Sequence, residues 1–248
     1  LFGGEGLNKY ISALDTERFG FTVAKLPGTG ENVDKILEDL RGVNTKLVII
    51  RIDLADLALL NKLERSGFET KDVQLTYNFD LAKEIPAHKP SGFTLRAFRP
   101  EDIPQITAIA ETSFNNYGHY FADEKLDRKK CFDIYADWTQ RSCVDKAIAD
   151  EIIVAEQSGK LLGFLSLKIK EEGKGSYAAG VIGAIDPVWR KGGVFRAINI
   201  ESLNWAKKLG LTRVENNVLA VNYPVNGTYI SLNYKIIRSE ITLHYWFK

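Results

Sequence analysis

Hydrophobic positions along the chain switch repeatedly between a strand rhythm and a helical rhythm. Residues 21–26 (FTVAKL) are a short apolar stretch closed by Pro27-Gly28-Thr29-Gly30, which predicts a strand and a turn. Val33, Ile36, Leu37 and Leu40 then share one face of a helix over 31–41. The run KLVIIRI at 46–52 predicts a strand buried on both faces, as a parallel sheet requires. A second helix over 54–66 stops at Gly67, and Val73, Leu75, Tyr77 and Phe79 alternate along a strand at 69–80.

A second series follows the segment LAKEIPAHKPSG at 81–92, whose prolines, glycine and mixed charge read as a linker. The boundaries taken from it are a first domain over 1–85, a linker over 86–92 and a second domain over 93–248. The second series opens with a strand at 93–99 and a helix started by Pro100-Glu101-Asp102 and carried by Ile103, Ile106 and Ile109. An aromatic, polar loop at 113–121 leads to a helix over 127–142, then to a hairpin of strands 151–156 and 160–170 around Ser158-Gly159. A buried strand at 181–185, a glycine loop and a helix follow. That helix carries Val194, Ile198, Leu203, Ala206 and Leu209 and stops at Gly210. A strand at 213–221, a helix at 222–232 and a closing strand or hairpin pair at 235–246 complete the chain. Strands and helices alternating in both series indicate the α/β (α+β) class.

The two series also match one another. At an offset of 166, the stretch beginning KLVIIRIDLAD falls on the stretch beginning TRVENNVLAVN, strand on strand and helix on helix, and Gly67-Phe68 falls on Asn233-Tyr234. Identities are few, so two halves that reached one strand–helix–strand grammar independently remain the alternative. In a true repeat the first half is a decayed copy, with Ala24 where Arg190 sits and Leu63 where Tyr229 sits, and has no chemistry of its own.

Composition narrows the function classes. A hydrophobic share of 45% and a charged share of 26% over 248 residues are ordinary for a soluble globular protein. The net charge of +1, with no basic stripe interleaved with aromatics, argues against a nucleic-acid surface. No apolar run reaches transmembrane length, and LFGGEGLNKY is not a signal peptide. Cys131 and Cys143 form no C-x-x-C, and His88, His119 and His244 lack metal-ligand spacing. The expectation is a reduced, cytoplasmic protein without metal, nucleic-acid or membrane partners. Methionine is absent from all 248 residues, which is unusual at this length.

The chemistry concentrates in VIGAIDPVWRKGGVFRAINIESLNWAKKLG at 181–210. A strand, a loop of Arg190-Lys191-Gly192-Gly193 and a helix start make an anion site, because glycines admit a ligand to the backbone and the helix start offers unpaired N–H groups. Arg190, Lys191 and Arg196 add positive charge, and a pyrophosphate would fit. A tight turn with a solvated face is the bland alternative. Neither G-x-x-x-x-G-K-S/T nor G-x-G-x-x-G with its downstream acid is present.

The remaining pattern, R-x-x-G-x-(G/A) after a strand ending in I-D-P, resembles motif A of the GNAT acetyltransferases, departing from it at Phe195. The segment NYPVNGTYISLNY, with Asn222, Val225, Tyr229 and Asn233-Tyr234, is similar to motif B of the same family. The resemblance implies the GNAT fold, a mixed twisted sheet flanked by helices, with a smaller partial GNAT-like domain in front. It also implies acetyl-CoA as co-substrate, bound through Gly183, Ala184, Ile185, Arg190, Lys191, Gly192, Gly193, Val194, Phe195, Arg196 and Asn222. The implied reaction is direct attack of an uncharged amine on the thioester. N–H groups near Ala184 and Ile185 face the oxyanion, and Tyr229 is the general acid for the leaving thiolate.

Residues 14–20, the Ser113-Phe114 loop, Tyr135-Ala136-Asp137-Trp138 and the close Ser239 to Trp246 look like the TDP-fucosamine acetyltransferase group. That likeness implies a nucleotide-sugar acceptor, a TDP-linked 4-amino-4,6-dideoxyhexose, contacted by His119, Tyr120 and Trp138, and a homodimer. His119 is also the candidate base. A GNAT acting on another amine, such as an antibiotic or amino acid, and a non-catalytic acyl-CoA-binding protein stay open as alternatives.

Overall fold

The computed structural model describes residues 6–87, 92–173 and 175–248; residues 88–91 of the expected linker lie outside the described residues. The chain forms two units. The first gathers Leu1–Leu75, Asn116–Cys131 and Arg238–Lys248, and the second gathers Thr76–Asn115 and Phe132–Ile237.

In the first unit, α1 (Ala13–Phe19) precedes β1 (Val23–Leu26), α2 (Val33–Gly42), β2 (Leu47–Asp53), α3 (Leu57–Arg65) and the first part of β3 (Glu69–Asp80), whose residues from Thr76 on belong to the second unit. Ser12 accepts from Asp15 N–H to cap α1, and Gly20 closes it with φ +78. This seven-residue helix is too short to show a rhythm, so the sequence gives only the strand after it. α5 (Gly118–Phe121), the start of α6 (Arg128–Val144) and most of β9 (Lys235–Trp246) complete the unit. β1 is parallel to β2, which is antiparallel to β9, so the apolar run of β2 lies inside a mixed sheet rather than the parallel one expected.

The two faces of this sheet differ. Ala24, Val48, Ile50, Ile52, Ile241 and Leu243 belong to a core closed by Val33, Ile36 and Leu40 of α2 and Leu63 of α3. Each fully buried aliphatic there contributes roughly 1.5–3 kcal/mol. The pairs Lys25↔Ile49, Ile49↔His244 and Arg51↔Thr242 put the intervening side chains on the other face, which is therefore polar.

The second unit carries β4 (Thr94–Ala97), α4 (Ile103–Ser113), the rest of α6, β5 (Glu151–Gln157), β6 (Lys160–Glu172), β7 (Gly175–Ile185), α7 (Val194–Lys208), β8 (Arg213–Leu219) and α8 (Tyr223–Ser231). From β8 the strand order is β8-β7-β6-β5-β4. Ser158 and Gly159 both take positive φ, +50 and +80, the turn a two-residue hairpin between β5 and β6 needs. β7 begins six residues before the apolar run that announced it, because Gly175, Ser176 and Gly180 carry no strand signal. Ile153, Leu162, Leu165 and Leu167 pack with Val194 and Ile198 of α7 in the core.

The offset of 166 holds for three elements but not for β1, which it carries onto residues 189–192 in the loop before α7. By strand register Ala24, paired with Val48, stands where Ala178, paired with Val214, does, and not where Arg190 does. β2, α3 and β3 fall on β8, α8 and β9 with identical bounds. Local hydrogen bonds repeat as well. Phe68 N–H donates to Leu63 O and Tyr234 N–H to Tyr229 O, at 3.0 and 3.1 Å. Gly67 and Asn233 both adopt positive φ, +94 and +64.

Two glycines separate a packing role from a tolerance. A Cβ on Gly180 would lie 2.1 Å from Asn216 Oδ1, whereas one on Gly227 meets nothing within 4 Å. Gly180→Ala is expected to cost about 1–3 kcal/mol in urea unfolding. Gly227→Ala, within α8, is expected to gain about 0.5–1 kcal/mol. Equal effects would contradict the packing at β7.

Candidate active site

The site is built where β7 leaves the sheet. Leu165 pairs with Gly183 and Leu167 with Gly180, so Val181 and Ile182 together oppose the single residue Ser166. That bulge is held by Ser166, which donates to Ile182 O at 2.9 Å and accepts from Ile182 N–H at 3.2 Å. A bulge bends its strand. Accordingly, the parallel pairing of β7 with β8 is confined to Ala178↔Val214 and Ala179↔Glu215, and the two strands part beyond it.

Backbone polarity in the opening follows from the ladder. Asp186 N–H donates to Leu162 O and Ile182 N–H to Ser166, both on the β6 side. By alternation Ala184 N–H also faces β6, leaving Gly183 and Ile185 N–H directed toward the β8 side. Of the pair expected at the oxyanion, Ile185 therefore has the available N–H. Asn216 Oδ1 lies beside Gly180, and the Asn216 amide also reaches the buried Tyr234 hydroxyl.

After β7, Asp186 accepts from Val188 N–H, and a short 3-10 turn leads through Arg190 and Lys191 (φ +73) to Gly193 (φ +74). Gly193 caps α7 without a side chain, so the first-turn N–H groups of Val194, Phe195 and Arg196 have neither an intrahelical partner nor a side-chain cap. Arg190 and Lys191 are exposed. Arg196 is engaged differently: its guanidinium donates to Ser231 Oγ at 2.9 Å and ties α7 to α8.

Asn222 caps α8 through its backbone, with no side-chain cap bond, and is half-buried. Tyr229 is 3% exposed. Its ring packs against Tyr77 and Tyr234, each 5.0 Å away, and meets Phe195 edge-on at 5.7 Å. Phe195 thus fills space beside Tyr229 that a glycine would leave empty. Asn226, which the sequence reading passed over, donates to Leu219 O and Ala220 O and holds the end of β8 to α8.

No protein-family model matches the chain. A solved GCN5-related N-acetyltransferase from Sphaerobacter thermophilus is similar to it at TM-score 0.62 and 16% identity, covering 90% of this chain and 73% of that one. The chain has the GNAT fold. A tandem GNAT protein from the clavulanic acid biosynthesis pathway is similar at TM-score 0.58 and 13% identity, over 90% of this chain and 75% of that one. In sequence, a mycothiol acetyltransferase of Propionibacterium freudenreichii subsp. shermanii is 24% identical over 159 residues, 62% of this chain and 47% of the relative. The chain therefore spans about half the length of that curated relative.

On this GNAT scaffold the expected residues divide between the two units. Those from Gly183 to Arg196, with Asn222, Tyr229 and Trp138, belong to the second. Trp138 is half-buried on α6. His119 and Tyr120 belong to the first, where Tyr120 donates to Asp15 and His119 Nδ1 lies 2.8 Å from His244 Nε2. Burial pushes the Cys131 and Cys143 thiols up to about 11, which leaves neither as a thiolate nucleophile near neutral pH. Among the described residues no helix is long and apolar enough to cross a membrane, and no group of three metal-ligating side chains occurs.

The first-unit histidines generate a pH dependence. Burial, with His244, Arg51 and Lys25 nearby, holds His119 well below the usual imidazole range, Asp123 opposing the shift. Burial likewise lowers His244 against the opposing pull of Asp123 and Asp72, with Lys71 lowering it further. Below about pH 6.5 the unfolded chain takes up protons that the folded unit refuses, so stability is present above that value and lost below it. The urea midpoint is expected to fall between about pH 7 and about pH 5, with a shallower slope in His119→Gln. Identical slopes would contradict neutral burial of this imidazole.

Proposed function

We propose that the chain is an acetyl-CoA-dependent N-acetyltransferase acting on a small-molecule amine, and that this amine belongs to a TDP-linked 4-amino-4,6-dideoxyhexose. The observation that carries acetyl transfer is the parting of β7 from β8 immediately before an uncapped helix start, on a GNAT fold. The polar atoms there fit acetyl-CoA. First-turn N–H groups of α7 suit its pyrophosphate, with Arg190 and Lys191 beside them. The N–H of Gly183, directed away from β6, suits an amide carbonyl of its pantetheine arm.

The bound acetyl-CoA supplies an activated acyl group, and the chain supplies position and protons. An uncharged amine attacks the thioester carbonyl, and Ile185 N–H stabilises the oxygen that becomes negative. As the C–N bond forms and the C–S bond breaks, the phenol of Tyr229 gives its proton to the departing sulfur. The amine's proton is released and the product is an amide. Tyr229 stands among apolar rings that exclude water from the proton it gives.

Support for the sugar comes from the resemblance of residues 14–20, 135–138 and 239–246 to the TDP-fucosamine group. The Phe114–Tyr135 stack in the second unit, with centroids 4.6 Å apart, adds aromatic surface of the kind that holds sugar or base faces. The mycothiol acetyltransferase relative favours a second acceptor class, the amine that such an enzyme acetylates.

Tyr229→Phe is expected to lower turnover about 100-fold or more while leaving acetyl-CoA affinity nearly unchanged. Undiminished turnover would remove Tyr229 as the acid. Gly193→Val, which forces a branched side chain into positive φ, is expected to weaken acetyl-CoA binding about tenfold. Acetyl-CoA-dependent thiol release should be compared over TDP-4-amino-4,6-dideoxyglucose, its galactose epimer, a mycothiol-precursor amine, an aminoglycoside and an amino acid. Release confined to the TDP sugars is the expected result. Release with another amine alone would replace the acceptor, and none alongside tight acetyl-CoA binding would favour a non-catalytic acyl-CoA-binding protein.

A further inference from the structure

The polar face of the first unit's sheet holds a second constellation, independent of the acetyl-transfer site. A cavity of about 210 Å³ is lined by Lys25, Arg51, His119 and Thr242, with Leu26 and Ile49 as apolar wall. Behind it runs a relay. Asp123 Oδ2 accepts from His244 Nδ1 at 2.6 Å, and His244 Nε2 faces His119 Nδ1 at 2.8 Å.

The carboxylate fixes both tautomers. Ionised Asp123 can only accept, so His244 carries its proton on Nδ1 and presents a lone pair at Nε2. His119 must then donate from Nδ1, which leaves its own Nε2 as a lone pair on a residue lining the cavity. The inner end of the relay is rigid. Asp123 and His244 are both 0% exposed, and Asp123 also accepts from Trp246 Nε1 at 2.8 Å and from Lys125 N–H at 3.1 Å. Burying this much polarity is costly unless each group is hydrogen-bonded, and Asp123 and His244 are.

The cations point to the ligand's other end. Arg51 donates from Nε to Thr242 Oγ1 at 2.9 Å, and it forms no ion pair among the described residues. Its two terminal nitrogens remain as a fork suited to a carboxylate or phosphate. Lys25 is shared with Asp15 at 2.5 Å, and it stays on the exposed side of the cavity. A half-buried arginine without a carboxylate, beside a fixed lone pair, wants an anion that also carries a hydrogen-bond donor. The volume is below that of sites for drug-sized ligands, so the molecule is small.

We propose that the first unit binds a small organic oxyanion, a phosphate or carboxylate held by Arg51 and Lys25, whose neighbouring hydroxyl or amine donates to His119 Nε2. The site uses neither acetyl-CoA nor Tyr229, so it stands or falls apart from the acetyl-transfer reading. Asp123 and His244 act as positioning residues for His119.

The test uses the full chain labelled with nitrogen-15 at its three histidines. Long-range proton–nitrogen spectra should show His119 and His244 both protonated on Nδ1. Titration with glycerol 3-phosphate and with glycolate, each an anion bearing a hydroxyl, should shift the His119 signals saturably. Whichever probe binds names the anion class, and inorganic phosphate should bind more weakly than glycerol 3-phosphate. Arg51→Gln should weaken the shift about tenfold or more, the loss expected of a charge-assisted fork. Thr242→Val keeps the charge and removes only the oxygen that aims Arg51, and it should weaken binding a few-fold, which localises the site even if Arg51→Gln folds poorly. Absence of a saturable shift with both probes, His119 protonated on Nε2, or undiminished binding in a folded Arg51→Gln would overturn the proposal.

Discussion

One extra residue in β7 sets the geometry of the second unit. With Val181 and Ile182 opposite Ser166, the strand bends just after its last paired residue, and β8 cannot follow. Gly180 is the residue at which this happens, and its missing side chain is where the Asn216 amide lies. The same event turns backbone N–H groups toward the β8 side and aims the chain at the N-terminus of α7. Scaffold and chemistry therefore have one cause. A β7 that paired with β8 along its whole length would be more stable and would have no opening.

Much of this was legible because it depends on local chemistry. The glycines at 192 and 193, the Asp-Pro turn and the apolar spacing of α7 each act within a few residues, and the structure has them where the pattern put them. Asn233 adopts the left-handed conformation for the reason a glycine would, and β3 runs over the span its alternation predicts. The repeat was legible too, although few residues are identical, since burial periodicity and turn positions outlast side-chain identity. The first half of β7, α1 and α5 were not, being too short or too rich in glycine and small residues to carry a rhythm.

Other features depend on residues far apart in the chain. His119 and His244 are separated by 125 positions and Asp123 and His244 by 121, so no spacing rule could join them. Of the aromatic loop at 113–121, Ser113 to Asn115 belong to the second unit and Asn116 to Phe121 to the first. Those from Asn116 on lie in the first unit because Asp123, Tyr120 and Cys131 find their partners there. Likewise the charge on Arg196 was legible, but its capture by Ser231 on α8 was not.

The duplication argues that the first unit is more than a relic. Arg51 and Asn217 stand one repeat apart, as do Thr242 and Thr76, and both pairs are hydrogen-bonded, at 2.9 and 2.8 Å. His244 stands where the other half has Asn78. A half released from function would be expected to replace buried polar groups by apolar ones, because an unsatisfied buried polar atom costs about 1–3 kcal/mol while an apolar substitute of similar shape is nearly neutral. The first unit has an apolar residue at Leu63, where the other half has Tyr229, and keeps buried polar groups at Asp123, Thr242 and His244. The expectation that this half has no chemistry of its own fits Leu63 but gives no account of the buried Asp123–His244–His119 relay.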